Sequence, residues 1–360
     1  MSVDTLKQPE GTVRRMDIEA ILREQVAKAI GSKAAAGKLE RLAGHASNRS
    51  YYRIGQHPES WILMVMPPHA SNQSEEASRE ERVAELPFLN VQRYLSQLGV
   101  RVPRIFQYDE AAGVLVMEDL GDLTFEKALQ TDKGDRLYEQ AIDLLAYLRA
   151  RSERNPDPNC VAFSRSFDQE LYHWELHHFR EFGMEAWSGK KPSEAERAEL
   201  DKIFQRLSDL LSLEPKGFTH RDYQSRNIMV KNGELVLIDF QDALQGPRQY
   251  DLVSLLRDSY VELEWNFVER MLDRYLTAFE RESGQRTPAE PFKAFFDLLT
   301  IQRKLKDAAR FEYIHRVKGN PNFLPSIPAS LRYAAWAFHR RADFSDFQDI
   351  AARYVPALAR

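Results

Sequence analysis

Residues able to do chemistry are concentrated in His220-Arg221-Asp222-Tyr223-Gln224-Ser225-Arg226-Asn227 and in the apolar run Leu235-Val236-Leu237-Ile238 that ends at Asp239-Phe240. Two carboxylates and one amide at this spacing suit phosphoryl transfer from a nucleoside triphosphate. Asp222, leading a tight loop, can accept the hydrogen bond of an acceptor hydroxyl and aim its oxygen at the γ-phosphorus of ATP. Asn227 offers a side-chain carbonyl to a metal ion, and Asp239, at the tip of a buried strand, offers a carboxylate to Mg²⁺ bridging the phosphates. Such a cation neutralises the charge that develops during transfer. An isolated His-Arg-Asp is more often part of an Asx-type turn. Here, however, the loop is followed by Ile228-Met229, a strand pair suited to lie under adenine, then by the turn Lys231-Asn232-Gly233-Glu234 and the strand ending in Asp239. That is the order the kinase signature requires.

The elements that must position these groups can be read on either side. Apolar residues from Asp17 to Ala36 recur at helical spacing. Strands are predicted at Leu39–Ala43, Ser50–Ile54 and Trp61–Met66, with Gly55-Gln56-His57-Pro58 as a hairpin turn. Gly44 to Arg49 joins the first two strands and has a single glycine. There the Ser47 and Asn48 side chains and the backbone N–H groups can approach phosphate, or the segment is an ordinary polar loop. The third strand has no lysine to grip the α- and β-phosphates, so Arg53 or Arg49 is the candidate replacement. A helix is expected from Ser71 to Leu98, with Glu76, Glu80, Glu81 and Glu85 as possible acidic partners. Val114-Leu115-Val116-Met117 is a strand that breaks at Glu118-Asp119-Leu120-Gly121, and the β-rich part of the chain ends there.

Beyond Glu118 the pattern is helical, through Phe125–Arg151, the aromatic-rich Phe167–Trp187, a helix capped by Ser193, and 262–284, 291–318 and 331–353. Core packing is the commoner use of the aromatic run, over a sugar-stacking platform or a cation cage. The domain boundaries expected are a flexible tail at 1–13, a nucleotide-binding lobe at 14–118 and a catalytic and acceptor-binding lobe at 119–360. With 50 Lys+Arg against 54 Asp+Glu, the chain has no basic field to attract nucleic acid or an anionic membrane. Cys160 is the single cysteine, which excludes an internal disulfide framework. With no signal-peptide pattern and no long apolar run, a cytoplasmic location is expected.

On these motifs the chain resembles the aminoglycoside and choline phosphotransferases. The resemblance implies an α+β, protein-kinase-like fold of two lobes: a small antiparallel β N-lobe with helices and a larger, mainly helical C-lobe. In that family Asp222 matches the catalytic base, Asn227 and Asp239 match the metal ligands, and Gln241 stands where the DFG glycine would be. Glu118 and Leu120 fall at the hinge facing the adenine edge, with Met229 beneath the base. Ile238-Asp239-Phe240-Gln241-Asp242-Ala243, Gly246-Pro247, Tyr250 to Asp258 and Gln302-Arg303-Lys304-Leu305-Lys306 are most similar to the bacterial cell-wall amino-sugar kinases, which phosphorylate the anomeric hydroxyl of N-acetylmuramate and N-acetylglucosamine. Asp251 is then expected to tie the active loop to its lobe. Arg226, Asp242, Arg257, Asp258, Arg303 and Lys306 are candidates for lining the acceptor pocket. The implied cofactors are ATP and Mg²⁺, and the implied partner is a small-molecule hydroxyl acceptor. An aminoglycoside, choline or other amino alcohol is the alternative acceptor, and a nucleotide-binding pseudokinase acting as an interaction module is the alternative of a different class.

Overall fold

An antiparallel sheet of five strands, in the order β1-β2-β3-β5-β4, organises the first part of the chain. The computed structural model describes residues 10–42, 49–56, 58–66, 85–130 and 134–359, with side chains from Ile18 onward. The chain divides into two units: Met1–Glu81 with Pro103–Asp122, and Arg82–Val102 with Leu123–Arg360.

In the first unit, α1 (Glu10–Ala29) and the short α2 (Ser32–Ala35) precede β1 (Leu39–Arg41), β2 (Ser50–Gln56), β3 (Glu59–Val65), β4 (Ile105–Asp109) and β5 (Val114–Glu118). Alternation along the strands sends Ile54, Leu63, Val114 and Val116 to one face, where Leu22 and Val26 of α1 bury against them. β2 and β3 run to the ends of a tight hairpin, pairing Gln56 with Glu59, so the turn is shorter than the one predicted. Gly55 permits this: its φ is 94°, and a Cβ there would stand 2.3 Å from the Glu59 carbonyl. Two differences from the sequence reading are local. Helix α1 already includes residues 10–13, assigned above to the tail, and β4 is a strand that periodicity did not mark. β4 is short and carries a bulge between Ile105 and Gln107, which breaks its two-residue alternation.

The second unit contains α3 (Pro87–Gln97), α4 (Phe125–Ala128), α5 (Gly134–Arg154), α6 (Gln169–His178), α7 (Ala186–Ser188), α8 (Glu194–Ser212), β6 (Lys216–Thr219), β7 (Ile228–Lys231), β8 (Glu234–Leu237), β9 (Leu244–Pro247), α9 (Gln249–Leu256), α10 (Trp265–Ser283), α11 (Ala289–Lys318), α12 (Ile327–Arg340) and α13 (Ser345–Ala352). The helix expected from Ser71 is described only from Pro87, where proline suits the first turn. Between α6 and α7 the backbone widens into a π-helix over Phe179–Glu185. Gly183 makes room for it, since a Cβ there would meet the Phe179 ring at 2.5 Å. Helix α11 is buried along most of its length, including its charged residues Arg303, Lys304 and Lys306.

Candidate active site

The loop that carries Asp222 follows β6 and is held by carboxylates behind it. Arg221 has φ 77°, a conformation costly for a side chain with a Cβ. Asp251 of α9 accepts hydrogen bonds from the His220 N–H at 2.7 Å and the Arg221 N–H at 2.9 Å, which locks that backbone in place. Burial pushes the Asp251 carboxyl up in pKa, against the hydrogen bonds and the nearby His220 and Arg303 that favour its charge. Asp258 does the same further along, accepting from the Ser225 N–H at 2.8 Å and the Tyr260 N–H at 3.0 Å. Burial also keeps His220 neutral, pushing its pKa down.

The β7–β8 hairpin then brings the other two groups together. Asn232 and Gly233 both have positive φ, the geometry of a two-residue hairpin turn, and Ile228 pairs with Leu237. The flanking residues therefore meet, with the Ile238 N–H donating to the Asn227 carbonyl at 3.0 Å. Asp239 comes next, exposed and at φ 63°. Its Oδ2 lies 3.4 Å from Asn227 Nδ2, and its Oδ1 accepts from Gln241 Nε2 at 2.9 Å. Asn227 Nδ2 also donates to the Asp222 carbonyl at 3.0 Å. Thus Gln241 clamps Asp239, and Asn227 bridges the Asp222 loop to Asp239. One amide and one carboxylate side by side fit a magnesium ion, which takes few protein ligands and completes its shell with phosphate and water.

The remaining candidates sort by their neighbours. Met229 lies buried in β7 and bridges to Thr124. Arg226 is gripped by Glu126 at 2.8 and 3.0 Å and stacks over Tyr260 at 3.6 Å. Asp242 accepts from Gln241 Nε2 at 3.2 Å. Arg257, another acceptor-pocket candidate, is buried, and its guanidinium is enclosed by Trp265, Phe296, Tyr333 and Trp336. Asp258, expected there too, is turned to the loop backbone. Arg303 reaches Asp222, with Nη2 3.6 Å from Oδ1. Lys306 is buried, its Nζ 3.3 Å from Asp307.

In the first unit, Arg53 is bound by Asp119 at 2.7 Å and Asp122 at 2.9 Å, so its charge is already compensated. Burial raises the Asp119 pKa, but hydrogen bonds from Ser60, Arg53 and the Gly121 N–H outweigh it and leave the carboxyl below its ordinary value. Glu118 closes β5, its N–H donating to the Arg104 carbonyl at 2.8 Å, and Leu120 is largely buried. Arg49 stands just before β2. Ser47, Asn48, Glu76, Glu80 and Glu81 lie outside the described residues. Glu85, the other acidic candidate, is paired instead with Arg93 at 2.6 Å. The clamps made by Glu126, Tyr260 and Asp122 went unseen in the sequence, since each joins residues far apart in the chain; only the acidic turn after β5 hinted at one.

The sequence pattern of a phosphotransferase enzyme family matches residues 38–288. The chain belongs to that family. This phosphotransferase is 29% identical over 351 residues to the N-acetylmuramate/N-acetylglucosamine kinase of Pseudomonas putida, covering 96% of the chain and 97% of the relative. It is 31% identical to the kinase of that name from Neisseria meningitidis serogroup B, covering 88% and 90%. Among solved structures it superposes on a choline kinase from Streptococcus pneumoniae with a TM-score of 0.60 at 14% identity, covering 89% of this chain and 99% of that one. An ADP-bound aminoglycoside phosphotransferase gives 0.54 at 15%, again covering 89% and 99%. The fold is protein-kinase-like, and the phosphotransferase is a small-molecule kinase. No helix among its described residues is long and apolar enough to cross a membrane.

Proposed function

We propose that this phosphotransferase moves the γ-phosphate of ATP to the anomeric hydroxyl of N-acetylmuramate or N-acetylglucosamine, with Mg²⁺ as cofactor. The observation that supports the reading is the bridge made by the Asn227 amide, which donates to the Asp222 backbone carbonyl and to the Asp239 carboxylate and so brings the three residues together within a single unit. Asn227 and Asp239 would hold Mg²⁺, which supplies charge neutralisation for the transferring phosphoryl group. Asp222 takes the hydrogen bond of the acceptor hydroxyl and points its oxygen along the line of transfer. Its backbone, pinned through Asp251, and its side chain, facing Arg303, leave it little freedom, and such positioning is the larger part of phosphoryl-transfer catalysis.

Two features support the choice of acceptor. The relatives named as amino-sugar kinases match nearly the whole chain. The carboxylate that would meet the acceptor faces a guanidinium, Arg303, which disfavours a polycationic aminoglycoside or choline beside it. An ATP-consuming reaction also supports a cytoplasmic location. The test incubates the purified protein with ATP, Mg²⁺ and a panel of amino sugars, aminoglycosides and amino alcohols, and identifies the product by mass and NMR. Phosphorylation at the sugar C1 is expected. Removing the carboxylate in Asp222→Asn should lower kcat by about 10²- to 10⁴-fold, and Asp239→Asn should raise the Mg²⁺ concentration needed for half-maximal rate. Retained turnover in Asp222→Asn would defeat the assignment, and an aminoglycoside or choline product would replace the acceptor.

A further inference from the structure

Arg303 is a residue the proposed chemistry does not by itself require, yet it is held at the reacting carboxylate. It projects from α11, with 2% of its side chain exposed. Its guanidinium lies against the face of Tyr250, 4.5 Å from the ring centroid. Its Nη2 is 3.6 Å from Asp222 Oδ1 and its Nε 3.9 Å from Asp307 Oδ2. Nε and Nη1 are buried without a hydrogen-bond partner. A buried guanidinium with unmet donors is costly, and a fold keeps one where its charge serves another group. Asp222, a third of whose side chain is exposed, is the group it faces on the open side.

We infer that Arg303 is a positioning residue: anchored by the Tyr250 ring and by Asp307, it fixes the rotamer of the Asp222 carboxylate so that one oxygen is aimed at the acceptor hydroxyl. Burial separates this role from acceptor binding, since a side chain almost wholly enclosed meets the acceptor only through Asp222. The same helix, α9, serves both ends of the device. Asp251 fixes the backbone ahead of Asp222, and Tyr250, one residue earlier, supports the cation that fixes its side chain. Neighbouring cations do not substitute for it: Lys304 is spent on Ser259 at 2.6 Å and Asp307 at 2.8 Å, and Lys306 lies beside Asp307.

The inference rests on the reading of Asp222 as the hydroxyl-orienting group, and the experiment keeps the two apart. Full-length protein is compared as wild type, Asp222→Asn, Arg303→Ala, Arg303→Lys and Asp222→Asn/Arg303→Ala, with N-acetylglucosamine as acceptor. Arg303→Ala should lower kcat by about 100-fold, the scale of an ångström of misplacement, with KM for ATP within about twofold of wild type. Guanidinium ion added to Arg303→Ala at millimolar concentration should recover about tenfold of that loss by refilling the vacated space, and Arg303→Lys should fall between the two rates. In the Asp222→Asn background, Arg303→Ala should change the residual rate by less than about twofold, because the two residues act as a unit. If Arg303→Ala does not fold, Arg303→Lys carries the test, with a kcat loss at unchanged melting temperature expected. Wild-type kcat in Arg303→Lys and Arg303→Ala, or a loss in Arg303→Ala that adds in full to that of Asp222→Asn, overturns the positioning role while leaving Asp222 as assigned. Retained turnover in Asp222→Asn alone overturns both.

Discussion

At the scale of single residues, the left-handed backbone at Arg221 is the feature to explain, because an arginine adopts φ 77° only when its surroundings impose it. Asp251 imposes it. Its two carboxylate oxygens each take one N–H, from His220 and Arg221, and Ser254 Oγ donates to the Arg221 carbonyl at 3.3 Å. Replacing Asp251 with alanine leaves two buried N–H groups unmatched, at about 1–3 kcal/mol each, and releases the loop that carries Asp222. We expect Asp251→Ala to lower the urea midpoint and to cut kcat by more than its stability loss explains at temperatures where the fold persists. Asp251→Asn, which keeps one acceptor oxygen, should lie between. Full turnover in a folded Asp251→Ala would show that the loop holds its shape without this anchor. Asp239, also at positive φ, is held differently, by the side-chain amide of Gln241.

At the scale of elements, what could be read from the chain was whatever local sequence determines. Asn232-Gly233 implied the β7–β8 hairpin, the apolar run after it implied β8, and Ser193 with Glu196 implied the start of α8. β4 was illegible because five residues with a bulge do not sustain an alternating pattern. The π-helix was illegible because it depends on a ring packing over Gly183, a tertiary fact. The approach of Arg303 to Asp222 could not be read either: its segment stood out, but which of four charged residues in Arg303-Lys304-Leu305-Lys306-Asp307 faces the loop depends on how α11 is turned in the core. The capping box of α8 gives an element-level test. The Glu196 N–H donates to Ser193 Oγ at 3.3 Å, and Glu196 Oε2 accepts from the Ser193 N–H at 2.9 Å. The bond from the Ser193 N–H, a second from the Ser193 hydroxyl to Oε2 at 2.8 Å and one from the Tyr354 hydroxyl hold the Glu196 carboxyl down at about 2. Ser193→Ala should destabilise by about 1 kcal/mol in urea unfolding and leave kcat unchanged. A midpoint equal to wild type would mean that α8 is set by its buried face alone.

At the scale of the whole molecule, stability responds to pH through groups buried in a state their surroundings enforce. His178 is enclosed by Trp174, Phe182 and Tyr313, with ring centroids 5.6, 4.7 and 5.4 Å away. Burial first, then the nearby Arg310 and Lys306, lower its pKa to about 4. The unfolded chain takes up that proton near pH 6.5, so between pH 6.5 and 4 the unfolded state binds a proton the native state refuses, and stability falls as the pH is lowered. Buried carboxyls with raised pKa, such as Asp251 and Asp258, act in the opposite direction, so the slope of the wild-type curve mixes several groups. The comparison with His178→Phe removes one of them, because a phenyl ring fills the same aromatic site and carries no proton. The stability of His178→Phe relative to wild type should be constant above pH 7 and should rise by on the order of 2 kcal/mol as the pH falls from 6.5 to 4. A difference curve that stays flat over that range in urea unfolding would mean that His178 accepts its proton in the native state, and that the aromatic cluster around it opens to water.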